Sequence, residues 1–165
     1  MLHKFRFVIA GLIIILVNQA VTFAVSARMP NALRPAGTTR YAMAQSDAQL
    51  YVGPVAAWQP SGLATSVTIP AGKTADVTVL FCSEGYAAGN AIFARAKIGA
   101  ALLAPNSAGS GVRLIAGTNN LESHCVNFYR AAVSDGTKTV KVEWYTTHVS
   151  AYLQDRSMIV ILNIH

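Results

Sequence analysis

The chain has 165 residues, 53% of them hydrophobic and 12% charged, with thirteen Lys and Arg against seven Asp and Glu. It is too apolar for a disordered chain and too short for two ordinary domains. Two cysteines are too few for a disulfide-rich miniprotein, and the basic residues stand singly, so nucleic acid is not an expected partner.

Residues 1–27 read as a secretory signal peptide. Lys4 and Arg6 form a short positive start, Val8 to Val17 carry no polar side chain, and Val25-Ser26-Ala27 offers compact residues for cleavage after Ala27. The alternative is an uncleaved anchor over Phe7–Ala27, long enough to cross a bilayer. Asn18 and Gln19 near the middle of that span weigh against it, because unsatisfied amides are costly there. Membrane contact is therefore expected only if the segment is retained. Cleavage leaves a mildly basic chain, large enough to bury about two thirds of its unfolded surface.

Residues 28–48 show no hydrophobic period and are punctuated by Pro30, Pro35 and Gly37, which predicts a flexible arm or linker. From residue 49 to 165 the pattern is that of strands. Leu50–Trp58 is a first strand, bent at Gly53-Pro54. Ser66–Ile69 alternates polar and apolar residues, and Pro70-Ala71-Gly72-Lys73 reads as a turn. Thr74–Phe81 resumes the alternation. Ala91–Ile98 places Ile92, Ala94, Ala96 and Ile98 inward and Phe93, Arg95 and Lys97 outward; its alanines favour helix, but its neighbours alternate. Val112–Ile115 is a short strand, and Cys125–Val133 is another.

Ser134-Asp135-Gly136-Thr137 is a hairpin signal. Thr139–Tyr145 then sets Val140, Val142 and Trp144 against Lys141, Glu143 and Tyr145. Ala151–Leu153 and Ser157–Ile164 close the chain. Eight or nine short strands spaced by turns predict an all-β fold, a two-sheet antiparallel β-sandwich of jelly-roll type.

In an exported chain Cys82 and Cys125 are expected to form one disulfide between strand ends, worth about 4 kcal/mol by loop-closure entropy. A nucleophilic Cys125 with His124 as base fits poorly, because strand neighbours point to opposite faces. His124, His148 and His165 have no local metal-ligand spacing, so no metal and no cofactor is expected. No nucleophile elbow, P-loop or dinucleotide fingerprint is present. Glu143 beside Trp144 is the most suggestive carboxylate, yet no paired acid marks a glycosidase. No catalytic residue is assigned. Tyr86, Tyr145 and Arg156 are the candidate ligand surface: two tyrosines with apolar bodies and polar tips, and an arginine able to read a carboxylate.

Ser66-Val67-Thr68-Ile69-Pro70-Ala71-Gly72-Lys73 resembles the strand–turn entry of secreted bacterial sandwich modules. Asp135–Trp144 with Ala151–Val160 resembles the closing hairpin and last strand of jelly-roll modules in exported bacterial and phage-tail-associated proteins. The likeness implies fold and export and carries no catalytic residue. It lacks the terminal Gly/Tyr strand of chaperone-assembled pilins and the early Glu of type IV pilins.

The functional expectation is an exported, non-catalytic structural or interaction protein, secreted or at the cell surface. It would act through sandwich loops and edge strands and would self-associate or bind a surface ligand. The alternatives are a carbohydrate- or other ligand-binding module and, third, a small secreted hydrolase using Glu143 or His148.

Overall fold

The computed structural model describes residues 37–51, 56–106, 111–117, 119–147 and 150–165. The expected signal peptide, residues 28–36 of the expected arm, and His148 lie outside them. Among the described residues eight strands are formed: β1 (Thr38–Ser46), β2 (Leu50–Tyr51), β3 (Gln59–Tyr86), β4 (Ile92–Ile98), β5 (Ala101–Leu102), β6 (Val112–Ile115), β7 (Glu122–Thr146) and β8 (Tyr152–Ile164). They pair antiparallel in the order β1-β8-β3-β7-β4-β5, with β2 also on β8 and β6 also on β4. No described helix is long and apolar enough to cross a membrane.

Two strands organise the rest. β3 has 28 residues and β7 has 25, and they pair from Gln59↔Trp144 to Gly85↔Glu122. β8 joins only the second half of β3, from Ala75 to Tyr86. β4 joins only the second half of β7, from Val140 to Thr146. The β3–β7 ribbon thus belongs to two layers. The first layer holds β1, β2, β8, the end of β3 and the start of β7. The second holds the start of β3, the end of β7, β4, β5 and β6.

The ribbon folds over where two turn sequences meet. The pairing register jumps between Ile69 and Thr74, opposite Gly136 and Ser134. Gly72 (φ 71°) and Gly136 (φ 99°) take conformations that L side chains resist, and the Gly72 amide donates to Asp135 Oδ2 at 2.8 Å. Here the structure corrects the sequence reading. Pro70–Lys73 and Ser134–Thr137 do not end strands; both strands bend through them together, so the expected hairpin after Val133 is a corner.

Other boundaries shift as well. Residues 38–46, read as arm, form β1 in unbroken register with β8. The expected strand at Leu50–Trp58 is reduced among the described residues to β2. A bulge at Asp155 (φ 44°) joins the two closing segments into β8.

The inner faces of both layers contribute to one core. Val77, Val79 and Phe81 of β3 and Met158, Val160 and Leu162 of β8 are buried on one side. Ile92, Ala94 and Ala96 of β4 and Val140, Val142 and Trp144 of β7 are buried on the other. Each large side chain so buried contributes roughly 1.5–3 kcal/mol relative to exposure. Gly85 shows how closely the layers approach: a Cβ there would lie 2.9 Å from Leu153 Cδ2 and 3.0 Å from Ile115 Cγ1.

Candidate functional site

The disulfide is formed. Cys82 of β3 and Cys125 of β7 are directly opposed, with Cα atoms 4.0 Å apart. Phe81 and Ser83 point into the core, so Cys82 points out; Cys125 opposite it is exposed. The sulfurs lie on the outer face of the first layer and are not available as nucleophiles.

The outer face of the second layer carries a charged and aromatic cluster. Alternation in β4 and β7 turns Arg95, Lys97, Lys141, Glu143 and Tyr145 to the same side, and the pairing Arg95↔Glu143 brings opposite charges together. Glu143 accepts from Arg95 Nε at 2.7 Å and from Lys97 Nζ at 3.1 Å, with Lys141 Nζ at 3.3 Å. Trp58, just before β3, lies beneath the Arg95 guanidinium at 4.1 Å and against Tyr145 at 5.5 Å. Phe93 is tilted against Tyr145 with ring centroids 6.3 Å apart.

Burial alone would raise the Glu143 carboxyl pKa, but the hydrogen bonds from Lys97 and Arg95 and their charges outweigh it and hold it below the usual value. An acid so stabilised in its ionised form is a poor proton donor, which counts against the hydrolase reading at this residue. A carboxyl lowered in the folded state adds stability that is complete above its unfolded value of about 4.5 and is lost as pH falls through the lower folded value. Glu143→Gln is therefore expected to cost on the order of 1–3 kcal/mol at pH 7. The gap to wild type should narrow progressively below pH ~4.5. Urea unfolding of both proteins from pH 7 downward checks this; a constant gap would assign the loss to packing.

The three sequence candidates do not share a surface. Tyr86 ends β3 and stacks on Tyr152 of β8 at 5.6 Å with planes 24° apart, and Tyr51 of β2 flanks Tyr152 at 5.9 Å. Pairings Tyr51↔Tyr152 and Tyr86↔Tyr152 align them across three strands of the first layer. Tyr152 and Tyr86 cover each other's faces, so that pair does not offer a flat platform. Tyr145 lies on the opposite layer.

Arg156 differs from the expected exposed position: it is only 3% exposed. The Asp155 bulge turns it inward, where Nη2 donates to Ser46 Oγ at 3.0 Å and Nη1 to the Leu153 carbonyl at 3.2 Å. Its Nε has no hydrogen-bond partner. Burial pushes its pKa down, against the opposing pull of Asp155. Arg156 ties β1 to β8, and a bulge is invisible to a period-two reading.

An open cleft of about 580 Å³ lies near the ribbon corner, lined by Arg130, Lys138, Ser134, Thr137 and Thr139 among others. Among the described residues no carboxylate, histidine or cysteine lines it. No group of three or more metal-ligating side chains occurs among the described residues.

The feature that sequence reasoning missed is the outer face of the first layer. Two rows cross it in register. Tyr41, Ile161, Thr78 and Tyr129 form one, and Met43, Ile159, Leu80 and Asn127 the other. Tyr41 is 69% exposed, Met43 67% and Tyr129 45%. A solvated sheet face is ordinarily polar; six of these eight side chains are not. The apolar Ile159 and Ile161 alternating with buried Val160 and Leu162 were the available signal.

No protein-family model matches the chain, and no curated protein matches it in sequence. Three solved structures illustrate its likenesses. The CBM36-1 domain of a multidomain xylanase from the hindgut metagenome of Trinervitermes trinervoides aligns over 73% of this chain and 96% of that one, at 10% identity and a TM-score of 0.38. The VP2 protein of infectious bursal disease virus, as a D431N mutant in T=1 particles, aligns over 76% of this chain and 32% of its own, at 16% identity and a TM-score of 0.43. The tobacco streak virus coat protein aligns over 80% and 90%, at 8% identity and a TM-score of 0.32. The chain spans about a third of the length of VP2. Similarities this distant carry nothing about ligand or assembly.

Proposed function

We propose that this chain is an exported, non-catalytic structural or interaction protein that associates with itself through its first layer. The observation that carries this reading is the apolar outer face of that layer, with Tyr41, Met43 and Tyr129 open to solvent. Contiguous exposed apolar surface on a soluble fold marks an interaction site. The exposed disulfide accords with an oxidising compartment, as does the signal segment expected at residues 1–27. Light scattering of the purified protein over a concentration series tests the reading. Particle mass is expected to rise with concentration, and the double variant Tyr129→Glu/Ile161→Lys is expected to reduce the rise. A wild-type mass that stays monomeric throughout would end the proposal.

A further inference from the structure

The first layer ends in β1, and no described strand pairs its outer edge. An unpaired edge is a template for another strand, and folded proteins blunt such edges with prolines, bulges, charges or short length. Two other open edges have such devices: the first half of β3 carries Pro60, Pro70 and a register break between Pro60 and Ala64 around Gly62, and the first half of β7 carries Glu122 and Arg130 and is bridged at Tyr129 by Ala104. β1 has almost none of them. It is nine residues long, contains no proline, pairs with β8 without a break, and carries Arg40 as its one charge.

The sequence of β1 also complements itself. Laid antiparallel on a second copy about Ala42, Tyr41 faces Met43, Arg40 faces Ala44, Thr39 faces Gln45 and Thr38 faces Ser46. No like charges meet. The exposed Tyr41 and Met43 become two symmetric aromatic–thioether pairs, and small hydroxyls face each other at the ends. A two-fold axis through an antiparallel strand pair gives an isologous contact, which closes as a dimer.

We propose that two copies of this chain pair through β1 in antiparallel register centred on Ala42, joining their first layers into one continuous sheet. The inference rests on the self-association reading and adds to it an edge contact, distinct from the outer face that carries Tyr129 and Ile161. Charge variants test the register, since residues 41 and 43 of different copies face each other. Tyr41→Lys/Met43→Lys places like charges opposite one another twice and is expected to weaken the dimer about tenfold or more. Tyr41→Lys/Met43→Glu places opposite charges there and is expected to recover most of that loss.

In the full chain, Ala42→Cys is expected to form an interchain disulfide under mild oxidation, seen on a non-reducing gel, whereas Thr39→Cys is not. Thermal melting of each variant shows that the fold is kept. A wild-type protein that associates but ignores both charge pairs and does not cross-link at residue 42 overturns this register and leaves self-association standing through another surface. A wild-type protein that is monomeric at every concentration overturns both.

Discussion

Trp144→Ala is expected to lose about 3–5 kcal/mol of stability, the range for truncating a large buried aromatic. Trp144 is fully buried. It lies opposite Ala94 of β4 and Gln59 of β3, in a row that Val112 of β6 extends to four strands. Ala94 opposite it and Ala96 further along β4 are small and leave space for the indole. Its Nε1 has no hydrogen-bond partner, and a buried donor left unmade costs about 1–3 kcal/mol. Trp144→Phe removes that donor along with part of the volume, so its loss should be less than half that of the alanine variant. Urea midpoints with unchanged slopes give both numbers. An alanine variant within ~1 kcal/mol of wild type would show that the core is not packed around this side chain.

Replacing both Cys82 and Cys125 by alanine is expected to cost up to about 4 kcal/mol by loop-closure entropy. The bond joins residues 43 apart in sequence. Everything between them, including β4, β5 and β6, is inside the loop that the bond closes in the unfolded chain. In the folded chain the same residues are already neighbours in the ribbon, so the effect acts mainly on the unfolded state. Reduction of the wild type should therefore lower its urea midpoint to that of the double variant, and Cys125 is exposed to the reagent. If reductant left the midpoint unchanged while freeing two thiols, the bond would have no part in stability.

Much of the local structure was legible because period two survives wherever one face is buried. Ile92, Ala94, Ala96 and Ile98 lie inward as their spacing implies, and Val140, Val142 and Trp144 do the same. The all-β class followed from that alternation. The continuity of β3 and β7 was not legible. Pro70–Lys73 and Ser134–Thr137 are good turn sequences taken singly, and only their mutual alignment makes each a bend. That alignment is a long-range fact. β1 was hidden for another reason: its face toward the core is made of Ala42 and Ala44, too small to mark a strand, while Tyr41 and Met43 face outward.

The candidate site was less legible than the fold. Tyr86, Tyr145 and Arg156 were chosen by residue type, but strand pairing distributes them between two outer faces and the interior. Asp155 decides the fate of Arg156, because one extra residue in β8 inverts which side chains face the core. The apolar rows of the first layer depend on the registers of four strands, which no single segment contains.

The shared ribbon has a mechanical consequence. Because β3 and β7 run through both layers, the layers are tied to each other by two continuous strands, and they cannot part without breaking that ribbon. Local opening is confined to what the ribbon does not carry: β1 and β2 at one margin, β5 and β6 at the other. Everything else is one cooperative unit that gives way together.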